Sequence, residues 1–283
     1  MTARLARPHV HDPHAGVDPC STCEARALSV CNAIPDVDLA RLSTILTVAD
    51  VSAGQGFIDE GEPANSFFNV LTGTAKLFKT LPDGRRQITG FVGPGQFLGL
   101  AVSDAYAFSA EAIDQVRFCR FPRAALRAVL DDFPQMEKRL LEVASNELVA
   151  AQEQMLLLGR KTARERLASF LLAQSRQGMP CGHSRQRFRL PMTRVDIADY
   201  LGLTIETVSR TLTRLCTERL IDTVSQSGLV ILDPIGLESL ANGTSCLDGC
   251  ELPSTSTSSN PMPPSVRGSF TRRSGDHAPQ NGC

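Results

Sequence analysis

The uneven distribution of glycine is the feature of this sequence that most restricts its fold. Eight glycines lie between residues 54 and 95, where they separate short runs rich in Phe, Val and Ile. The stretch from Pro134 to Leu158 contains none. Short strands joined by glycine turns are typical of an antiparallel sandwich, barrel or roll, whereas a long stretch without glycine favours one helix. The sequence therefore predicts an α+β protein in which an antiparallel β domain precedes a long helix.

Local patterns add further elements to the β domain. Apolar residues recur at helical spacing between Asp36 and Val48, which predicts a short helix before the first strands. The sequence Pro82-Asp83-Gly84 has the chemistry of a tight turn. It predicts a hairpin that joins residues 75–80 to residues 87–92.

The long helix, predicted over residues 134–159, carries a heptad pattern. Its apolar residues are spaced three and four positions apart, and the seam consists of Leu141, Ala144, Leu148, Ala151, Met155 and Leu158. A narrow stripe of this kind is typical of a helix that pairs in parallel with a copy of itself. Leu140, Val143 and Val149 widen the stripe, so packing within the chain is the alternative.

A second pair of helices follows with capping signals. Thr193 precedes an apolar-periodic stretch and has Asp196 three residues later, as in a capping box. Gly202 permits a sharp turn, and Thr204 can cap a second helix from Ile205 to about Cys216. This arrangement predicts a helix-turn-helix, and residues 220–224 and 228–232 predict the strands of a wing after it.

The second of these helices has side chains suited to reading DNA. Glu206, Ser209 and Arg210 share one face, where a recognition helix meets base edges. Arginine can hold guanine with two hydrogen bonds, glutamate can accept from cytosine, and serine can serve either role. The alternative is that Glu206 and Arg210 form an ordinary surface ion pair.

The charge distribution supports a polyanionic partner for this segment. Residues 159–222 contain 12 Lys or Arg and 6 Asp or Glu, although the whole chain has a formal net charge of −1. Basic residues around the motif are predicted to contact phosphates without reading sequence, and they are Arg187, Arg189, Arg194 and Arg214. Double-stranded DNA is therefore the expected partner.

Four cysteines form a candidate metal site. Cys20, Cys23 and Cys31 lie within twelve residues of one another, and Cys119 lies far along the chain in the β domain. Thiolates gathered in this way favour zinc or an iron–sulfur cluster. The spacing alone leaves zinc, a cluster and thiol redox chemistry open.

Composition and the chain start set the expected compartment and class. No apolar stretch approaches the length of a membrane span, and residues 1–19 lack the apolar core of a secretory signal. We therefore expect a cytoplasmic protein without a membrane partner, in which most of the nine cysteines stay reduced. The residues suggest no Ser-His-Asp set, so an enzyme is not expected.

Taken together, these features resemble the Crp-Fnr superfamily, and within it the oxygen-sensing FNR-type regulators. The resemblance covers roughly Cys20 to Pro234 and includes the cysteines, the glycine-rich region, the long helix and Glu206-Thr207-Val208-Ser209-Arg210. Leu156-Leu157-Leu158 and Glu165 to Phe170 are similar to the helix and linker of that family.

The resemblance implies a fold and a mechanism. The β domain would be a cyclic-nucleotide-binding-like sensor roll, the long helix a dimerisation helix, and the last domain a winged helix-turn-helix. Cys20, Cys23, Cys31 and Cys119 would ligate a 4Fe-4S cluster, and Glu206, Ser209 and Arg210 would read a TTGAT-type palindrome. The cluster-bound form would be a homodimer that regulates anaerobic or microaerobic genes. When oxygen destroys the cluster, the association of the two copies would weaken and DNA binding would fall.

The resemblance also bears on partners and alternatives. A loop at Asp83 to Arg86 is similar to a region that touches RNA polymerase. Residues 95–112 contain no arginine, so a nucleotide phosphate would lack a charged partner and no cyclic nucleotide is expected. The alternative function is a zinc-stabilised or thiol-redox-responsive DNA-binding protein of the same type without a cluster.

The chain is expected to consist of five segments. We expect a disordered arm over residues 1–19, a sensor domain over 20–133 and a dimerisation helix over 134–159. The DNA-binding domain is expected over 160–240, and a Ser- and Pro-rich disordered tail over 241–283.

Overall fold

The computed structural model describes residues 9–10, 18–100, 104–177, 187–225 and 227–244. In this part of the chain, no helix is both long enough and apolar enough to span a bilayer. Residues 1–8, 11–17 and 245–283 of the predicted disordered segments lie outside the described residues. The described arm residues correct part of that prediction, because His9–Val10 forms a strand paired with Ala49 and Asp50.

The β domain consists of two antiparallel sheets. The strands are β1 His9–Val10, β2 Thr47–Val51, β3 Gly56–Ile58, β4 Ser66–Thr72, β5 Ala75–Thr80, β6 Arg86–Val92, β7 Phe97–Leu98, β8 Ser109–Ala112 and β9 Val116–Pro122. The first sheet has the order β1-β2-β9-β4-β7 and the second the order β3-β8-β5-β6. The predicted hairpin is confirmed, since β5 and β6 pair from Thr80 opposite Arg86 to Ala75 opposite Val92.

Aromatic side chains fill the space between these sheets. The ring of Phe118 lies 5.1 Å from that of Phe57 in a stacked arrangement and 5.2 Å from that of Phe68 in an edge-to-face arrangement. Tyr106 packs beside Phe68 and donates a hydrogen bond to the carbonyl oxygen of Ser66 at 2.8 Å. Such ring contacts stabilise a core beyond the area they bury.

The predicted helix between Asp36 and Val48 is wrong in its second half. Asp36–Asp38 is a 3₁₀ turn, and the helix α1 spans only Leu39–Ser43 before β2 begins at Thr47. Val48 lies opposite Cys119 of β9. Pairing with β9 therefore overrides the local helical spacing, because residues such as Thr and Val fit a pleated sheet well.

Three helices follow the β domain: α2 Arg123–Asp132, α3 Pro134–Arg160 and α4 Ala163–Gln177. Proline suits the first position of α3, where its missing N–H has no helical partner. Met136 and Leu140 are buried on one side of α3. On another side Leu141, Leu148 and Met155 are 68%, 61% and 66% exposed.

The C-terminal domain has the predicted winged helix-turn-helix architecture. Its elements are β10 Arg187–Arg189, α5 Arg194–Leu201, α6 Ile205–Thr217, β11 Ile221–Thr223, β12 Gly228–Ile231 and α7 Pro234–Ala241. The three strands form one antiparallel sheet in the order β10-β12-β11. The core of this domain includes Leu201, Val208, Leu212 and Leu215.

Candidate cysteine site and nucleic-acid interface

Two short 3₁₀ turns shape the cysteine segment, the stretch that contains Cys20, Cys23 and Cys31. They span Glu24–Leu28 and Val30–Ala33, and Ser29 between them accepts a hydrogen bond from the Cys31 backbone N–H through Oγ at 3.2 Å. The Asp18 carboxylate accepts the backbone N–H of Cys20 at 2.9 Å. These local bonds fold the segment back on itself, so that its three cysteines reach one cavity.

The fourth cysteine reaches the same cavity from the sheet. Cys119 lies on β9, where its neighbours are Val48 on β2 and Asn69 on β4. The cavity is lined by Cys20, Cys23, Cys31 and Cys119 together with Arg26, Asn69 and apolar residues that include Leu39, Leu46 and Phe121. The structure therefore brings together the four cysteines that the sequence singled out.

Burial suppresses ionisation of Cys20, Cys31 and Cys119. It raises the pKa of Cys20 to about 12 and that of Cys31 to about 11, and it also raises the pKa of Cys119. The neighbouring cysteines contribute to each shift because nearby thiolates would repel one another. As free thiols, Cys20, Cys31 and Cys119 are protonated and weakly nucleophilic at neutral pH.

Arg26 is a cavity residue that sequence reasoning missed. Its Nη2 donates to the carbonyl oxygen of Ile34 at 2.7 Å, and its Nη1 pairs with Asp36. Its Nε is buried and has no hydrogen-bond partner among the described residues, and neither has the buried Oδ1 of Asn69. A sequence signal existed for Arg26, since it is the one basic residue between Cys23 and Cys31.

The donor set fits a thiolate-bound inorganic group. The cavity offers four sulfur ligands, one cation whose charge lowers the pKa of Cys20 and Cys31, and one unused N–H donor. Cysteine thiolates hold iron–sulfur clusters, and hydrogen bonds to the sulfurs tune them. Within the described ranges, no three His, Cys, Asp or Glu side chains are arranged to hold a single metal ion.

The two helices of the DNA-binding motif begin and end as the sequence predicts. Thr193 Oγ1 accepts the Asp196 N–H at 3.1 Å, and Asp196 Oδ2 accepts the Thr193 N–H at 2.9 Å. These reciprocal bonds confirm the capping box of α5. Gly202 ends α5 with φ of 61°, and Thr204 caps α6 through its bond from the Thr207 N–H.

The predicted reading face of α6 lies free on the surface. Glu206, Ser209 and Arg210 are exposed, whereas Val208 and Leu212 are buried against the domain. Hydrogen bonds from its own backbone and from Thr204 lower the pKa of Glu206, so this carboxylate is ionised at neutral pH. Arg210 forms no ion pair within 4 Å among the residues described, although its charge also contributes to the lowered pKa of Glu206.

The four predicted phosphate-binding arginines lie in different environments. Arg187 and Arg189 are exposed on β10, and Arg194 is exposed at the start of α5. Arg214 donates through Nε to Glu218 at 2.9 Å, which makes it less available to phosphate. The wing strands β11 and β12 lie beside β10 in the same sheet.

The predicted seam of α3 divides into two parts. Leu141, Ala144, Leu148, Ala151 and Met155 are exposed. Leu158 is half-buried and packs against the core of the DNA-binding domain. Its position close to the end of α3 explains this difference, because the chain turns into α4 directly afterwards.

Comparisons with known proteins agree with this architecture. Residues 49–133 match the family described as cyclic nucleotide-binding domain, and residues 165–240 match the Crp-like helix-turn-helix domain. The nitrogen fixation regulation protein FixK of Bradyrhizobium diazoefficiens is 41% identical over 222 residues, which are 78% of this chain and 93% of FixK. The transcriptional activatory protein AadR of Rhodopseudomonas palustris is 41% identical over 78% of this chain and 93% of its own length.

A solved structure shows the same fold. FixK2 from Bradyrhizobium japonicum is 37% identical and superimposes with a TM-score of 0.65, over 69% of this chain and 97% of FixK2. The relatives are regulators of transcription and not enzymes, and their match extends over both domains. The chain therefore belongs to the Crp/Fnr family of DNA-binding transcriptional regulators, in which a cyclic-nucleotide-binding-type β domain precedes a Crp-like helix-turn-helix domain.

Proposed function

We propose that this chain is an oxygen-responsive regulator of anaerobic or microaerobic genes that acts as a dimer carrying a 4Fe-4S cluster. The observation that carries the proposal is the convergence of Cys20, Cys23, Cys31 and Cys119 on one buried cavity. These four thiols would hold the cluster, which supplies an oxygen-labile inorganic centre when bound. The proposal also rests on the resemblance to FNR-type regulators and on membership in the Crp/Fnr family.

The chain's own contacts suggest how the cysteine site influences dimerisation. Val30, Cys31 and Ile34 share one apolar cluster with Met136 and Leu140 of α3. A ligand that ties the cysteine segment to β9 therefore also holds the segment against the first half of α3. When the four thiols have no common ligand, these contacts weaken, and the population shifts away from the dimer-competent arrangement.

The exposed seam of α3 supports a homodimer. Met136, Leu140 and Leu157 are buried within the chain, and Val143 and Leu158 are partly buried against the same cores. Leu141, Leu148 and Met155 remain exposed on a heptad spacing that suits a second copy of the same helix. An apolar stripe of this kind on a regulator with a helix-turn-helix matches the two-fold symmetry of a palindromic operator.

Each α6 would then read one half-site. We assign Glu206, Ser209 and Arg210 to base contacts in a TTGAT-type sequence, because these exposed side chains have the donor and acceptor chemistry of base edges. Arg187, Arg189 and Arg194 would hold phosphates, with Arg214 in a lesser role. We also propose that the exposed loop containing Asp83, where Arg85 Nε pairs with Asp83 Oδ2 at 2.8 Å, contacts RNA polymerase.

The β domain is proposed to act without a cyclic nucleotide. Phe57, Phe68 and Phe118 fill the interior between the sheets with mutual ring contacts. The sequence from residue 95 to residue 112 offers no arginine to neutralise a cyclic phosphate. The sensing chemistry is therefore assigned to the cysteine cavity.

Anaerobic purification tests the cluster directly. We expect a coloured protein with about four iron and four sulfide per chain. Brief exposure to air should remove the visible absorbance, lower the dimer fraction in sedimentation and weaken operator binding. A colourless protein that contains zinc, or one without metal that still binds its operator as a tight dimer, contradicts the proposal and favours the zinc or thiol-redox alternative.

Replacing Arg210 by alanine tests the reading assignment. We expect the preference for the correct base at one operator position to fall by about 1–3 kcal/mol, because the two-pronged contact to guanine is lost. Arg210→Lys should keep the charge but not the preference, since lysine lacks the planar fork. Competition binding across single-base operator variants measures the effect.

Arg194→Ala is the matched control for that experiment. It should weaken binding to all operator variants about equally and reduce the salt dependence, as expected of a phosphate contact. If Arg210→Ala distinguished the operator variants as well as wild type does, Arg210 would no longer be assigned to base contacts.

A further inference from the structure

The C-terminal end of α5, the helix before the recognition helix, is held by side chains from three other elements. The last carbonyls of a helix have no partner within that helix. The Ala198 carbonyl accepts the Leu203 N–H at 3.0 Å. The three carbonyls that follow it accept side-chain donors from β6, α3 and α4.

Two glutamines donate to the Asp199 and Tyr200 carbonyls. Gln87 Nε2 on β6 donates to the carbonyl oxygen of Asp199 at 2.7 Å and lies 3.3 Å from that of Tyr200. Gln154 Nε2 on α3 donates to the Tyr200 carbonyl oxygen at 2.9 Å. The Tyr200 ring packs at 5.2 Å from Phe91 of β6, so this turn of α5 is fixed against both the β domain and α3.

Arg166 provides the third connection and joins three chain segments. Its Nη1 donates to the Leu201 carbonyl oxygen at 2.9 Å, and its Nη2 donates to that of Leu158 at 2.8 Å. Its Nε donates to the Lys161 carbonyl oxygen at 2.9 Å. One guanidinium therefore bonds the end of α3, the linker after it and the end of α5.

We propose that Gln87, Gln154 and Arg166 are positioning residues that set the orientation of α6 relative to α3. The turn between α5 and α6 is short, so α6 follows the orientation of α5. A dimer reads a palindrome only when its two recognition helices have the spacing of the half-sites. If α3 forms the dimer axis, the bonds from α3 and α4 to α5 determine that spacing.

The inference rests on the proposed dimeric reading of DNA, so each measurement uses anaerobically purified protein, the form in which a dimer is expected. Binding of the wild-type dimer to a palindromic duplex tests that proposal separately. Failure of the wild type to bind as a dimer would refute the proposed function. Normal wild-type binding with no effect of the substitutions below would refute only the positioning role.

Gln154→Glu is the sharpest substitution, because a carboxylate cannot donate and would face the Tyr200 carbonyl. We expect affinity for a TTGAT palindrome to fall about tenfold, because the bond from α3 at 2.9 Å is lost and the Tyr200 carbonyl keeps only the longer contact with Gln87 Nε2 at 3.3 Å. The dimer dissociation constant and affinity for a duplex with one half-site should stay within about twofold of wild type. Gln154→Lys, which restores a donor, should recover most of the palindrome affinity.

Gln152→Glu is the matched control, since Gln152 is exposed two residues earlier on the same helix and gains the same charge. It should bind the palindrome as wild type does. Equal losses in Gln152→Glu and Gln154→Glu would identify a general charge effect and overturn the inference. The inference would also be overturned if Gln154→Glu bound the palindrome as tightly as wild type does. An equal loss of affinity of Gln154→Glu for the palindrome and for the duplex with one half-site would overturn it as well.

Discussion

Replacing Cys119 by serine is expected to reduce the iron and sulfide content of anaerobically purified protein to background. Cys119 is the one cysteine of the cavity that comes from the sheet, and the other three lie on the segment of 3₁₀ turns. Without it, no sulfur remains to attach that segment to β9. Operator binding and the dimer fraction should then equal those of air-treated wild type, and absorption spectra with metal analysis measure the loss.

Cys216→Ser is the control for the same experiment. Cys216 is half-buried near the end of α6 and lies outside the cysteine cavity. This variant should retain the full iron and sulfide content of wild type. A full cluster content in Cys119→Ser, with an unchanged thermal midpoint, would remove Cys119 from the proposed ligand set.

Replacing Lys76 by methionine is expected to reduce the free energy of unfolding by about 3 kcal/mol. Lys76 Nζ on β5 lies 2.8 Å from Asp196 Oδ1 of α5 and 3.0 Å from Glu111 Oε1 of β8. The Lys76 and Asp196 side chains are only 14% and 8% exposed. Removing the cation leaves two carboxylates close together in a poorly solvated place, which is strongly unfavourable. Urea unfolding of wild type and of Lys76→Met measures this change.

Lys79→Met is the matched control on the same strand. Lys79 Nζ lies 2.8 Å from Glu60 Oε1, but the lysine side chain is 55% exposed. Its loss should change the free energy of unfolding by at most about 1 kcal/mol, as for other surface ion pairs. Equal effects of the two substitutions would show that the contact between β5 and α5 contributes no special stability.

The Lys76 substitution should also affect DNA binding. Asp196 belongs to the capping box of α5, so the same carboxylate caps the helix and attaches it to the β domain. Weaker attachment should lower palindrome affinity even at temperatures where the variant is folded. Electrophoretic mobility shifts, performed well below the thermal midpoint, separate this effect from unfolding.

Local interactions made the DNA-binding motif predictable from sequence. Thr193 and Asp196 are three residues apart, and Gly202 and Thr204 act within their own turns, so each signal lies in a short window. The long helix was predictable for a similar reason, because its spacing repeats over many residues. The reading face followed from the same periodicity, and the structure places its three side chains on the surface.

Contacts between distant parts of the chain could not be predicted in this way. Strand β2 takes the last residues of the expected helix, from Thr47 onward, because they pair with β9, which lies far along the chain. The pairing of Lys76 with Asp196 spans 120 residues and has no local signal. Asn69 likewise enters the cysteine cavity only because β4 pairs with β9.

The place of Cys119 in the sheet has a consequence for biosynthesis. Its strand, β9, pairs with both β2 and β4, so the cysteine reaches its final position only after strands from distant parts of the chain have come together. A nascent polypeptide therefore cannot bring all four cysteine sulfurs together before these strands of the β domain have paired. If the four thiols hold the proposed cluster, its assembly can be completed only on a chain in which β9 has already paired with β2 and β4.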